Sequence, residues 1–497
     1  MDDTVGRSTE QTVDTGSRSL RVAIIGAGMS GILAAIRLRE TGVRDITIFE
    51  KADRLGGTWR DNTYPGLTCD VPSHLYRYTF EPNADWSRRF SPGPEIRRYF
   101  EGVAERHAVD GLIRTNSEIV RSTFGDSRWE LETIGGDVET FDAVICCTGV
   151  LHHPKYPDIE GLDSFAGDSF HTARWNHDVS LKGKRVGIIG TGSTAMQVTS
   201  AIVGEVGHLS LFQRTAQWVV PLPNPEIPEP LKQRYRENPE EMDGLYDHLS
   251  ERFVDTFARA VIGDREEMAK VEANCVNNLM ENVSDPELRA KLTPDYKVAC
   301  KRLIMTDQFY PAIQQPNAEL VTDGIERVEA GGVRTVDGRL HELDVLVLAT
   351  GYHAHDFMRP MNVTGRDGLT IDEAWAEANE AYRSVAVPGF PNFFMVAGPN
   401  SPIGNFSLIQ VAEVQLDYIM QLMRQLQARE GAEVEPKAEA TQRFNDEIKA
   451  AMTGTVWVTG CSSWYLDKNG NPALYPWDFQ HFRQDMAAPN LDDFLIA

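Results

Sequence analysis

Two glycine-rich turns, each standing between an apolar strand and a helix, and a charged stretch of helical periodicity after the second, predict an α/β chain. The expected architecture is two dinucleotide-binding, Rossmann-like domains with a helical insertion in the second. At 497 residues the chain is long enough for about three domain-sized units of roughly 150 residues. With 41% apolar and 25% charged residues it can bury a large core.

The elements follow in order. Leu20 to Ile25 is an apolar, β-branched run of strand length, stopped by Gly26. Ser30 to Glu40 carries apolar residues at 32, 33, 36 and 38, which is helical spacing, and Ile46 to Phe49 is a second strand. Strand, glycine turn, helix and strand make a βαβ unit with parallel strands. The pattern returns at Arg185 to Ile189 (strand), Gly190 (turn), Thr194 to Val203 (helix) and Leu209 to Phe212 (strand). Further strands end in the same way, Ala143 to Thr148 before Gly149 and Leu343 to Thr350 before Gly351. After a proline-rich run, apolar residues at 242, 245, 246, 249, 253, 254, 257 and 261 mark an amphipathic helix. Strand Phe393 to Ala397 and a helix over about 408 to 428 complete the chain. The expected division is a disordered polar tail over 1–20, a first dinucleotide-binding domain over 21–150 plus 385–497, a second over 151–222 plus 328–384, and the helical insertion over 223–327.

Composition excludes several classes. Lys and Arg number 49 against 73 Asp and Glu, a formal charge of −24 that repels phosphate backbones, so nucleic acid is not an expected partner. The six cysteines have neither the density of a disulfide framework nor the CxxC spacing of a zinc or redox site, which predicts no metal and a reduced, cytoplasmic setting. The longest apolar runs, such as Val345 to Ala349, fall far short of the roughly 20 residues of a membrane span. The start of the chain lacks the basic and apolar regions of a signal peptide.

Gly26-Ala27-Gly28-Met29-Ser30-Gly31 is a GxGxxG turn. Its first glycine makes the turn, its second lets backbone approach a pyrophosphate, and its third lets the helix pack closely. The helix N-terminus then offers N–H donors to the phosphates. Glu50 ends the next strand, where an acid accepts hydrogen bonds from a ribose hydroxyl. Gly190-Thr191-Gly192-Ser193-Thr194-Ala195 is the GxGxxA counterpart, but Gln213-Arg214-Thr215 stands where the first unit has its acid. An arginine there suits the 2′-phosphate of NADP. One acid-tipped and one arginine-tipped site suggest FAD in the first and NADPH in the second. A disulfide reductase would need a redox-active cysteine pair, and Cys146-Cys147 lies inside a predicted strand.

Between the glycine motifs, Phe165, Gly167, His171 and Trp175 form a segment that resembles the FxGxxxHxxxW fingerprint of type I Baeyer–Villiger monooxygenases. Asn176 departs from the Pro or Asp common at the next position. Gly57-Thr58-Trp59, Tyr64-Pro65-Gly66 and Asp70 are similar to that family's GxW…YPG…D segment, and matches run from residue 24 to about 480. The resemblance implies an enzyme that uses NADPH and O2 to convert ketones to esters or lactones through a C4a-peroxyflavin and a Criegee adduct. It implies that Arg302 of the Lys301-Arg302 pair is the electrostatic catalyst and that Asp70 orients it. It also implies flavin contacts from Ser30, Thr58, Trp59, Tyr76 and Val120. NADP contacts would come from Thr191, Gly192, Ser193, Thr194, Ala195, Gln197, Arg214, Thr215 and Lys301. Trp464, in Cys461-Ser-Ser-Trp464-Tyr465, would stand on a loop that closes over NADP, and His171 at an interdomain joint. The loop Gly398 to Asn405 would line the pocket near the flavin. The expected partners are a small ketone and O2, with no membrane and a monomer or homodimer as the unit. Two alternatives stand beside this reading: a flavin monooxygenase oxidising sulfur or nitrogen, and a non-catalytic flavoprotein that senses redox state.

Overall fold

A computed structural model describes residues 19–497, so most of the predicted polar tail lies outside the described residues. Two five-stranded parallel sheets organise the chain. In the first, the spatial order is Phe393–Met395, Ala143–Cys146, Arg21–Ile25, Asp45–Phe49 and Ile113–Arg114. In the second it is Ala318–Val321, His208–Phe212, Arg185–Ile189, Val345–Leu348 and Asp168–His171. Strands buried on both faces read as unbroken apolar runs, as Val345–Leu348 and Ala143–Cys146 do. The crossover helices Met29–Glu40 and Ser193–Ile202 follow the two glycine turns. The long helix Leu408–Gln427 packs on Met29–Glu40 and closes the first core.

The periodicity over 242–261 becomes the helix Glu240–Phe253, continued through a wider π-turn at Val254–Ala258 into Arg259–Val261. Glu229–Glu237, Arg265–Asn282 and Pro286–Leu292 complete the helical region. Its apolar residues divide between the two cores: Tyr246, Ala258 and Cys275 join the first, Leu279, Val283 and Leu292 the second.

Two segments lie elsewhere than the sequence placed them. Ala318–Val321, assigned above to the helical insertion, is the edge strand of the second sheet beside His208–Phe212. Asn362–Thr364, assigned to the second domain, pairs with Ile119–Gly125. That strand continues antiparallel through Arg128–Thr133 and Val138–Phe141 in a small sheet against the first domain. Trp129 anchors this sheet: its ring is fully buried 5.1 Å from that of Phe393, and its Nε1 donates to the Pro391 carbonyl at 2.7 Å. Burying a large ring with its polar atom satisfied favours this pairing over a weak local signal. A disulfide joins Cys300 and Cys461, against the reduced cysteines expected from their spacing, because folding brings together two residues far apart in the chain.

Candidate active site

At the first glycine turn, Gly26 holds φ +104 and its N–H donates to the Phe49 carbonyl at 2.7 Å. Any Cβ on Gly31 would collide with the Gly26 carbonyl, so the third glycine of the motif is required by close helix packing. Gly28 faces Gly57, and a Cβ there would meet only the Gly57 backbone. Ser30 lies in the first turn of the helix. Glu50 is buried with both oxygens engaged: Oε2 accepts from Ala27 N–H at 2.9 Å, while Oε1 accepts from Ala52 N–H at 2.9 Å and pairs with Arg60 at 2.8 Å. The sequence did not single out Arg60. Its guanidinium, paired with Oε1, holds the predicted ribose-binding acid in place.

Thr58 and Trp59 open the short helix Thr58–Asp61, and Trp59 Nε1 donates to the Tyr76 hydroxyl at 3.2 Å. Val120 sits at an irregularity in the pairing of Ile119–Gly125 with Arg128–Thr133. The Asn62 side chain is tied across the chain as well, since Tyr352 donates its hydroxyl to Asn62 Oδ1 at 2.6 Å.

The two glycine units meet through the Tyr64-Pro65-Gly66 segment. Gly66 has φ +82, and a Cβ there would stand 2.6 Å from the Gln197 carbonyl. Gln197 accepts from the Tyr64 hydroxyl at 3.0 Å and donates to the Thr68 carbonyl at 3.1 Å. Gln197, expected to touch NADP, is therefore engaged in joining the two units. Thr194 donates to the Tyr64 hydroxyl at 3.4 Å, and Ala195 is fully buried in the second core. Thr191 donates to the Thr215 carbonyl at 2.9 Å, which fixes the glycine turn against the strand end. Gly190 has φ +117, and around Gly192 and Ser193 the chain leaves open space at the helix N-terminus.

Arg214 is exposed at the end of His208–Phe212, without an ion-pair partner among the described residues. Lys301 lies near enough to feel its charge. Burial and then Arg214 lower the Lys301 pKa, with Asp295 partly offsetting them. Its ammonium stands 4.5 Å over the Tyr296 ring. Two cations held together at a nucleotide-fold strand end are an arrangement that a doubly charged phosphate would complete.

Arg302 Nη2 donates to Asp70 Oδ2, and Nη1 donates to the Gly404 carbonyl at 3.1 Å. The Tyr465 hydroxyl lies against Gly404, whose carbonyl takes Arg302 Nη1, and so stands beside the same guanidinium. The Arg302 and Asp70 side chains are about a quarter exposed, at 25% and 28%. Burial opposes the Arg302 charge, but Asp70 and Tyr465 outweigh it and the pKa rises above its ordinary value. A permanently charged group is thus fixed on a surface that a reactant can reach.

Trp464 is 37% exposed, and its carbonyl accepts from His355 Nε2 at 2.8 Å. It borders a small cavity together with Asn400, Ile403 and Tyr465. Asn405, in the loop expected to line the pocket, is 1% exposed, and neither amide atom has a partner among the described residues. Such an amide is costly unless a ligand completes it. The arrangement fits the expected cofactors, with facing glycine backbones, a fixed acid and an orphan amide for FAD, and an open helix N-terminus with two cations for NADPH.

His171 lies at 1% exposure, its Nδ1 accepting from Ala173 N–H at 3.1 Å. Burial drives its pKa down to about 4, so it is neutral and positioned between the rings of Tyr156 and Tyr352. Cys146 and Cys147 are buried, with thiol pKa values pushed up by burial, to about 11 for Cys146. Neither offers a thiolate. Sequence reasoning missed Tyr465, Arg60 and the Cys300–Cys461 bond; the signals available were Tyr465 beside Trp464 and Cys300 beside Lys301-Arg302.

A family model described as flavin-binding monooxygenase-like matches residues 19–363. The chain is 50% identical over 455 residues to an uncharacterized monooxygenase of Mycobacterium tuberculosis, covering 92% of each. It is 40% identical over 485 residues to a Baeyer–Villiger monooxygenase of Streptomyces coelicolor, covering 96% of this chain and 92% of that one. Among solved structures it resembles cyclohexanone monooxygenase from Rhodococcus sp. Phi1 bound to NADP+, with a TM-score of 0.85 at 30% identity over 97% of this chain and 99% of that one. It also resembles an oxidized steroid monooxygenase bound to NADP, with a TM-score of 0.86 at 28% identity over 96% and 99%.

Proposed function

We propose that this chain, which belongs to the flavin-binding monooxygenase-like family and is an FAD- and NADPH-dependent Baeyer–Villiger monooxygenase, converts small ketones to esters or lactones. The observation that carries the reading is Arg302, held by Asp70 and the Gly404 carbonyl where the two nucleotide units meet. Overall, a ketone, O2, NADPH and a proton give an ester, NADP+ and water. Bound FAD, reduced by NADPH, supplies the activated oxygen.

The residues divide the remaining work. The turn Gly26 to Gly31 and the following helix take the FAD pyrophosphate, and Glu50, held in place by Arg60, takes a ribose hydroxyl. The turn Gly190 to Ala195 takes the NADP pyrophosphate, and Arg214 with Lys301 takes the 2′-phosphate. Arg302 stabilises negative charge as it develops on oxygen at the reacting centre, and Asp70 fixes its direction. The cation works because it is set in place before the reaction and needs no reorganisation. Trp464, at the rim, covers the bound nucleotide and keeps water out. The same reading sets the enzyme in the cytoplasm as a monomer or homodimer.

Arg302→Ala tests it. The variant should bind FAD normally yet lose roughly 100-fold to 1000-fold or more in ester formation. Lactone formation from a cyclic ketone at the wild-type rate would overturn the assignment. Retained sulfide oxidation with no ketone conversion in the wild-type protein would favour heteroatom oxygenation instead.

A further inference from the structure

Three distant parts of the chain converge on the Arg302 guanidinium: Asp70, Gly404 and Tyr465. Tyr465 is 3% exposed, with its ring 4.6 Å from that of Trp464 and 6.2 Å from that of Trp457. Its backbone is held too: its carbonyl accepts from Ala473 N–H at 2.8 Å, and Cys461, four residues before, is bonded to Cys300. The phenol oxygen lies against Gly404, where a Cβ would stand only 2.6 Å from it. Gly404 is therefore glycine for two reasons, its φ of +107 and the space its neighbour's hydroxyl occupies.

We propose that Tyr465 is a positioning residue for oxygenation, holding the plane of the Arg302 guanidinium together with Asp70 and the Gly404 carbonyl. This rests on the catalytic role given to Arg302 above. A guanidinium gripped by one carboxylate can swing about that contact, whereas three acceptors in different directions fix its plane and the direction of its remaining N–H groups. The choice of a phenol has a consequence that a second carboxylate would not share. Burial raises the Tyr465 pKa, against the lowering effect of Arg302, so the hydroxyl stays neutral and adds no second negative charge beside Arg302. Asp70 supplies the counter-charge, and Tyr465 supplies direction without further neutralisation.

Tyr465→Phe removes the hydroxyl and keeps the ring. It should retain FAD and melt like the wild type, with kcat for ketone oxygenation lowered roughly 10-fold to 100-fold and KM for the ketone within about twofold. In the Arg302→Lys background, where the fork is absent, the same change should cost less than about twofold more, because the hydroxyl acts through the guanidinium. A crystal structure of Tyr465→Phe should find the guanidinium turned away from the Gly404 carbonyl. An unchanged kcat, full multiplication of the two losses, or an unmoved Arg302 would each overturn the proposal. Should the phenylalanine variant fold poorly, fluorinated tyrosine at 465, whose phenol ionises nearer neutrality, should add a falling alkaline limb to the kcat profile; an unaltered profile would overturn the proposal equally. If Arg302→Ala is inactive while Tyr465→Phe is normal, only the role of Tyr465 fails. If Arg302→Ala turns over ketone normally, the underlying reading fails first.

Discussion

Breaking the Cys300–Cys461 bond tests whether the loop that carries Trp464 is covalently tied to the Lys301-Arg302 segment. The two cysteines are 161 residues apart in sequence and 6.2 Å apart at Cα. Closing a loop of that length in the unfolded chain removes roughly 17 cal/mol/K, so the bond is worth up to about 5 kcal/mol at 25 °C in the chain-entropy picture. For a chain of 497 residues, unfolding entropy of about 2.1 cal/mol/K per residue converts this to a Tm shift of about 5 °C for cooperative unfolding. Both sulfurs are buried, at 1% and 7% exposure, so reduction needs the loop to open or a strong small reductant. The expected outcome is four free thiols in the denatured protein before reduction and six after, with calorimetry recording the drop in Tm. The double variant Cys300→Ser/Cys461→Ser should melt at the lower temperature with or without reductant. Six free thiols before reduction, or a Tm indifferent to reduction, would refute the reasoning.

Arg214→Ala should raise KM for NADPH roughly tenfold or more while leaving KM for NADH nearly unchanged, because only the 2′-phosphate distinguishes the two; steady-state kinetics with both cofactors decides it. Stability should also depend on pH through the buried histidines. Burial lowers His74 and His171 to about 4 from an ordinary value of 6.5, so between those values the unfolded chain binds protons that the folded one refuses. Their contribution is intact above pH 6.5, shrinks as pH falls and is gone below about 4; each accounts for about 2 kcal/mol lost by pH 5. Urea unfolding at pH 7 and pH 5 should register the loss, and His74→Asn should reduce the difference; a pH-independent midpoint would contradict the burial argument.

Why some of this was legible in the sequence and some was not follows from how far apart the partners lie. A strand of a parallel sheet covered on both faces must be apolar throughout, so Arg21–Ile25 and Arg185–Ile189 announce themselves, and the glycines after them are dictated by local backbone geometry. Asn362–Thr364 has no such signature: three residues, one exposed and one half-buried, find their place only because Ile119–Gly125 offers an edge more than 200 residues away. Glu50 was legible as an acid at a strand end, but Arg60 was not, since its role depends on a helix folding back over that end. Gln197 shows the same limit in the opposite direction. It stands in a cofactor-binding motif, yet its amide is taken by Tyr64 and Thr68 from the other nucleotide unit. Tyr465 combines both cases, being adjacent to a tryptophan that family resemblance singles out while its own hydroxyl meets an arginine 163 positions earlier. Motifs record what a local backbone must do, and the orientation of Arg302 is set instead by contacts that exist only once the two sheets, the helical insertion and the C-terminal loop have packed together.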